Sequence, residues 1–412
     1  MVKPIVQDKG MDHTIDFLRE GYFYFSKRMN AYDEDVIQSR IFGRKLIMTR
    51  GKEALELIKN STMLEPEKSI TELSPNLLTE ENGICYLADI DYYYEKEWFP
   101  QVLTAEQRKE LESIIRQRWE ERIEAWKINP SIHFVAEMEE MWVIAVCNWL
   151  GIPIRANNLK QRTTDIQEFV QLFSKYGLNR WKRHQAKKRI EKWLIFLVRQ
   201  LRAGRIHIDE EKILYKLSWY EDKSGHILSN KEVVHELLTL IRSFVASSRW
   251  VVFSQLALIE NPELKERLQD DQEYVHCFIH EVIRYYSIIS FVAAKTKQQF
   301  FWRDMFFPKN QLVLFDIRGT NYHPDVWSEP EVFRPDRFLG KLSHIGTELS
   351  NESDSDKDSV TVQLMKLSLS YLLRTDWIVP DQALNCHGSE VPARPQNDIR
   401  LEFYHEDFVK DI

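Results

Sequence analysis

Four cysteines in 412 residues are too few and too scattered to staple a fold. Cys85, Cys147, Cys277 and Cys386 form no CxxC pair, which excludes a disulfide framework and a thiolate zinc site. A reducing, cytoplasmic compartment is the expectation that follows. The chain also lacks any stretch approaching the roughly eighteen apolar residues of a membrane span. Its most apolar run, Leu194-Ile-Phe-Leu-Val198, is bounded by Lys192 and Arg199 and reads as part of a core helix. The first residues, MVKPIVQDKGMDHTIDF, hold no apolar segment of the signal-peptide kind, so none is expected. Basic charge is not in excess either: 56 Lys and Arg against 63 Asp and Glu leave a net charge of −7, which argues against a nucleic-acid partner. What the chain does have is 43% hydrophobic and 12% aromatic residues, ample for a sizeable core.

Helical periodicity dominates the rest. A helix is expected over 12–27, anchored by Phe17, Phe23 and Phe25, followed by two short strands on either side of Gly43 and a helix over 51–60. After a polar stretch over 62–90, Thr104-Ala-Glu-Gln107 fits a capping box at a helix start. Further helices are expected over 134–150, 165–176 and 180–203. Ser229-Asn-Lys-Glu232 is a second capping box, and the apolar stripe it opens runs to Asn261-Pro262. That makes about thirty residues, or roughly 45 Å of helix. An element of that length crosses a whole domain, so residues 1–412 are expected to form one. Another helix is expected over 273–286, alternating β-like stretches over 291–314, a polar mobile loop over 343–359, a helix over 360–373 and a β-like tail to Phe403. The fold class is mainly α, with a small β-rich part near the N-terminus.

Glu281-Val-Ile-Arg284 puts a carboxylate and a guanidinium three residues apart, on one helix face, where they can pair. Such pairs are common as solvated surface bridges. Downstream, Gly319-Thr-Asn-Tyr-His-Pro-Asp-Val-Trp327 leads into Ser328-Glu-Pro-Glu-Val-Phe-Arg-Pro-Asp-Arg-Phe338. An ExxR helix followed by FRPDRF resembles the cytochrome P450 family. The resemblance implies the P450 fold and a buried network of Glu281, Arg284 and Arg337 that ties a helix to an irregular meander; buried charges persist when mutually paired. It narrows to the hydrogen-peroxide-using fatty-acid peroxygenases and decarboxylases through FLREGY from Phe17, Arg40-Ile-Phe-Gly43, the long helix, and Val391-Pro-Ala-Arg-Pro395.

In that branch an Arg-Pro pair replaces the acid–alcohol pair of other members, and the arginine clamps the substrate carboxylate. Arg242 stands at that position, with Ser243 in place of the proline. Read from its neighbours alone, an arginine among Leu238, Ile241, Phe244 and Val245 calls for a planar acidic partner. A carboxylate ligand or an internal salt bridge satisfies that demand, and a snorkelling edge position removes it. The resemblance places Cys85 and Phe291 beside the substrate as well.

The resemblance also implies a cysteine thiolate on a haem iron, in a Gly-rich loop just before the helix at Val360. Counting back from Met365-Lys366 puts the ligand position on Ser355, within Ser353-Asp-Ser-Asp-Lys-Asp358, and no cysteine lies between Cys277 and Cys386. Asp356 and Lys357 replace the proline and glycine that shape that loop. The family's propionate-binding His-x-His-Arg-Lys cluster is matched by Tyr92-Tyr-Tyr-Glu-Lys96, in which Tyr92, Tyr94 and Glu95 are lost contact positions. Ser287 and Ser290 replace prolines that follow the ExxR helix. The expectation is therefore a P450 fold without conventional haem: no cofactor, or haem b if ligation is altered.

His276 and His280 have metal-ligand spacing, but Glu281 belongs to the ExxR network and no third ligand is evident, so no metal is expected. Cys85 reads either as a nucleophilic or redox-sensitive thiol or as a small buried hydrophobe. The Tyr92–Tyr94 run either stacks on a ligand or packs. Acids around Asp354 would repel acidic electron donors, so no redox partner is expected. Three functional readings result. The first is a cofactor-independent step (cyclisation, isomerisation or dehydration) on a carboxylate-bearing lipid or polyketide-like acyl ligand, with Arg242 and Cys85 as candidate groups. The second is a binding pseudoenzyme with the same pocket, and the third a haem-dependent monooxygenase or peroxygenase with altered ligation.

Overall fold

Apolar and polar residues alternate on both sides of Gly43, and residues 36–49 fold there into a hairpin. In the computed structural model, which describes residues 2–59, 62–66, 104–171, 179–340, 360–384 and 393–404 together with Trp98, Val102 and Val391, this hairpin belongs to a larger sheet. The strands in chain order are β1 (Val6–Gln7), β2 (Val36–Ile41), β3 (Arg44–Thr49), β4 (Leu64–Pro66), β5 (Ser131–His133) and β6 (Phe291–Thr296). They continue with β7 (Phe300–Trp302), β8 (Met305–Phe307), β9 (Leu312–Asp316), β10 (Asp376–Ile378) and β11 (Arg400–Tyr404). The large sheet has the order β1-β2-β3-β9-β6-β4. The turn residues Phe42 and Gly43 have φ of 51° and 76°, the positive values that a two-residue hairpin requires. Asp12 and Thr14 hold that turn: Gly43 N donates to Asp12 Oδ2 at 2.7 Å and Phe42 N to Thr14 Oγ1 at 2.6 Å. β3 then pairs in parallel with β9, Leu46 opposite Leu312, so the sheet joins segments far apart in sequence. Strands β10, β11 and β5 form a second sheet, and β7 with β8 a third.

Helices make up most of the remainder. The single helix expected over 12–27 is instead two, Thr14–Glu20 and Tyr24–Tyr32, separated by a 3₁₀ turn at Gly21–Phe23. Gly21 has φ of 50°, which breaks the first helix, and the Tyr22 hydroxyl pins the turn by donating to Ser287 O. Thr104 caps the Ala105–Ile128 helix through Gln107 N at 3.3 Å, but the Gln107 side chain donates to Glu211 O rather than closing the box. The Phe134–Leu150 helix ends at Gly151 in the left-handed region, and Leu159–Val170 and Asn179–Arg202 follow it.

The long apolar element carries its full capping box, Ser229 with Glu232. It is not one uninterrupted helix. Asn230–Ala246 and Ser248–Glu260 meet at Ser247. Ser247 Oγ donates to Phe244 O at 2.6 Å and Ser248 Oγ to Val245 O at 2.8 Å, while Trp142 Nε1 donates to Ser247 Oγ at 3.0 Å. Consecutive serines bonded back to the preceding turn compete with the backbone ladder at that point. Residues 230–260 are long and apolar enough to cross a membrane, yet 89% of their most apolar 18-residue window is buried inside the fold. One cluster of buried apolar side chains draws on residues from Phe17 to Phe403, and these helices run through it.

Candidate functional site

The Gln272–Tyr285 helix brings Glu281 and Arg284 together on its buried face. Arg284 Nε and Nη2 donate to the two Glu281 oxygens at 2.7 and 2.8 Å. Nη1 donates to Asn321 O at 2.7 Å and Pro330 O at 2.9 Å, and Nη2 also to Val332 O at 3.3 Å. All five guanidinium N–H groups therefore have acceptors. Arg337 Nε lies 3.1 Å from Glu281 Oε2, and its outer nitrogens reach the carbonyls of Ser328, Glu329 and Val332. Arg334 N completes the set by donating to Glu281 Oε1 at 2.7 Å. One carboxylate and two guanidiniums leave one positive charge in excess, and the meander's carbonyl dipoles offset it. Burial lowers the Arg337 pKa, and the Glu281 charge pulls it back up. The serines that follow are built in as well: Ser287 Oγ donates to Arg284 O and accepts from Asn321 Nδ2 at 2.7 Å.

Arg242 lies in a second, separate constellation. It is 4% exposed, and its guanidinium carbon stands 4.3 Å from the Phe169 ring centroid, where the ring face favours the cation. Two turns further on, Arg249 is also buried, and its Nη2 donates to Gln171 Oε1 at 2.7 Å. Gln171 Nε2 in turn donates to Val391 O at 3.2 Å. The end of the Leu159–Val170 helix, the long element and the C-terminal tail thus converge on two buried guanidiniums. Sequence reasoning singled out Arg242 and passed over Phe169, Gln171 and Arg249. Arg249 had a usable signal, its i+7 spacing from Arg242; the other two had none.

Phe291 begins β6 and lies in the aromatic cluster of the N-terminal helices, 4.4 Å from Phe25 and 6.4 Å from Phe17 between ring centroids. His276 and His280 meet edge to face with centroids 4.1 Å apart, and among the described residues no group of three or more His, Cys, Asp or Glu is placed to hold a metal ion. Cys85, Tyr92, Tyr94, Glu95, Ser355 and the 343–359 loop lie outside the described residues. Two thiols are described. Burial raises the Cys147 pKa to about 12 against a small opposing pull from Arg162, and burial raises that of Cys277.

The family model for cytochrome P450 matches residues 127–348, more than half of the chain. Cytochrome P450 3A31 of Mesocricetus auratus is 26% identical over 136 residues, covering 28% of this chain and 27% of that protein. Cytochrome P450 26B1 of Xenopus tropicalis is 24% identical over 79% of this chain and 70% of that protein. Among solved structures, wild-type cytochrome P450EX alpha with myristic acid superimposes with a TM-score of 0.84 at 26% identity, covering 97% of this chain and 98% of that one. A variant of cytochrome P450 OleT in complex with arachidonic acid has a TM-score of 0.84 at 22% identity, over 98% and 99% of the two chains, a likeness of fold. These solved neighbours fall in the branch that the Arg242 motif resembles. With the ExxR network, the meander it ties down and this match in hand, the chain belongs to the cytochrome P450 family.

Proposed function

We propose that this P450-fold protein binds a carboxylate-bearing acyl ligand, a lipid or a polyketide-like chain, in its interior, with Arg242 as the carboxylate clamp. The observation that carries the reading is the placement of Arg242: a guanidinium buried mid-helix, backed by the Phe169 ring, on the element that crosses the core. A guanidinium meets a carboxylate through two parallel hydrogen bonds, the fixed geometry that a clamp needs. Cytochrome P450EX alpha, 26% identical, is solved with a fatty acid of this class. Arg242 would fix one end of the ligand and so align the rest of its chain, which favours an intramolecular step such as cyclisation. The reading treats residues 1–412 as one domain, since the buried cluster draws on both ends of the chain.

Haem, when bound, supplies the family's oxygen-activating chemistry through a thiolate-held iron. The donors do not fit that arrangement: Ser355 stands at the ligand position by register, and burial keeps the two described thiols, Cys147 and Cys277, protonated. The Arg242 clamp is accordingly read as working without a haem thiolate. A haem-dependent oxygenase with altered ligation is the second reading, favoured by the complete Glu281–Arg284–Arg337 network.

Two measurements test these statements. Myristic acid at about a hundred times its Kd should stabilise the fold by about 2.7 kcal/mol. Arg242→Ala should remove most of that thermal shift, and a shift that survives the substitution would eliminate the clamp. A Soret band at one haem per chain in the purified protein would establish the second reading in place of the first.

A further inference from the structure

The Asn179–Arg202 helix carries nine Lys or Arg against one acid, Glu191, in a chain whose net charge is −7. Some of these cations anchor the helix. Arg189 holds the buried Asp165 through Nε at 3.0 Å and Nη2 at 2.5 Å, and Arg202 donates to the carbonyls of Ser218 and Leu228. Others do not. Lys182, Lys188, Lys192 and Arg199 are exposed and make no ion pair with another described residue. Trp181, Lys188, Lys192 and Arg199 recur at helical spacing and so form one line along the outer face.

Two large aromatic side chains stand on that cationic face. Trp181 is 70% exposed and Phe196 57%, separated by roughly 22 Å along the helix. Phe196 also lines a groove of about 1130 Å³ together with Ile154, Trp193 and Ile206, which Arg155 and Lys192 border. Arg162 stacks on Trp193 at 4.2 Å within the same groove. Exposed Lys and Arg interspersed with Trp and Phe match a surface that presents anionic head groups and hydrocarbon at the same depth. A polyphosphate backbone would pair with the lysines and leave Trp181 and Phe196 in water.

We infer that the outer face of the Asn179–Arg202 helix, with the groove beside Phe196, is a docking surface for an anionic lipid bilayer. The protein lies on the membrane through this face, the helix parallel to the surface and the long core helix remaining inside the fold. That the bilayer supplies the acyl ligand rests on the Arg242 reading; docking itself does not.

Sedimentation of the full chain with vesicles tests it. Phosphatidylcholine vesicles containing phosphatidylserine should carry the protein down, and pure phosphatidylcholine vesicles should not. Raised salt should weaken the binding. The pair Lys188→Glu and Lys192→Glu should cut partitioning by about tenfold or more. Trp181→Ser with Phe196→Ser should cut it several-fold at fixed salt. All four positions are exposed, and unchanged melting curves would show that the variants are folded. Arg242→Ala should sediment like the unmodified chain, which keeps this result independent of ligand clamping. Equal sedimentation with both vesicle types, insensitivity to either pair of substitutions, or capture by double-stranded DNA without vesicle binding would overturn the proposal.

Discussion

Asp316 shows how much one buried side chain can set. It caps the Ile317–Asn321 helix through Gly319 N at 2.8 Å and accepts from Ser26 Oγ at 3.1 Å, both on Oδ1. Oδ2 is buried with no hydrogen-bond donor among the described residues. A methyl group on Gly319 would come within 2.1 Å of that oxygen, so glycine is required there for space. Burial raises the Asp316 pKa from 3.8 to about 6, against the lowering effect of the Gly319 and Ser26 hydrogen bonds. The native state therefore keeps a proton that the unfolded chain gives up between about pH 4 and 6. Stability contributed by this group falls as pH rises through that window, by about 3 kcal/mol at most, and is level above it. Asp316→Asn should keep the cap and flatten that part of the profile; urea melts of both proteins from pH 4 to 7 would measure the difference. Nothing in the local sequence announced this carboxyl, because its shift comes from burial beneath elements distant in the chain.

At the scale of elements, what was legible followed from local rules. The Ser229–Glu232 capping box, the Phe134–Leu150 helix and the hairpin about Gly43 were all readable from a few consecutive residues, and the structure contains each. Ser229→Ala should cost about 1 kcal/mol, seen as a lower denaturant midpoint at unchanged slope. The interruption at Ser247 was overlooked although Ser247-Ser248 is a local signal; its contact with Trp142 on another helix was not readable. The split at Gly21 was missed for the same kind of reason, a tether to Ser287 far along the chain. In the site, the ExxR pair was legible because i and i+3 share a helix face. The Phe169 ring behind Arg242 was not, because only the packing of two distant helices brings them together.

Across the whole molecule, the Glu281 network is the joint between helical and irregular parts. Arg284 alone binds three meander carbonyls, from Asn321, Pro330 and Val332, and its loss would leave Glu281 buried with less compensation. Arg284→Ala should destabilise the fold by about 3–5 kcal/mol. Chemical denaturation would show it, and a loss under 1 kcal/mol would mean the network is incidental. The charge distribution belongs to this scale too. A cationic helix on an otherwise acidic body was countable in the sequence, but which of its cations are free was not, since Arg189 is tied to Asp165 and Arg202 to the carbonyls of Ser218 and Leu228 while Lys188 and Lys192 project outward.

The parallel pairing of β3 with β9 has a consequence for how the protein is made. Thr49 leaves the ribosome long before Phe315, its partner in the sheet. At translation rates of about 5–20 residues per second, the free edge of β3 waits on the order of tens of seconds for β9. Leu46, Ile47 and Met48, all buried in the finished sheet, lack their β9 neighbour throughout that interval. The nascent chain therefore carries an open, apolar strand edge through most of its synthesis, and needs it shielded until the segment from Leu312 to Asp316 arrives.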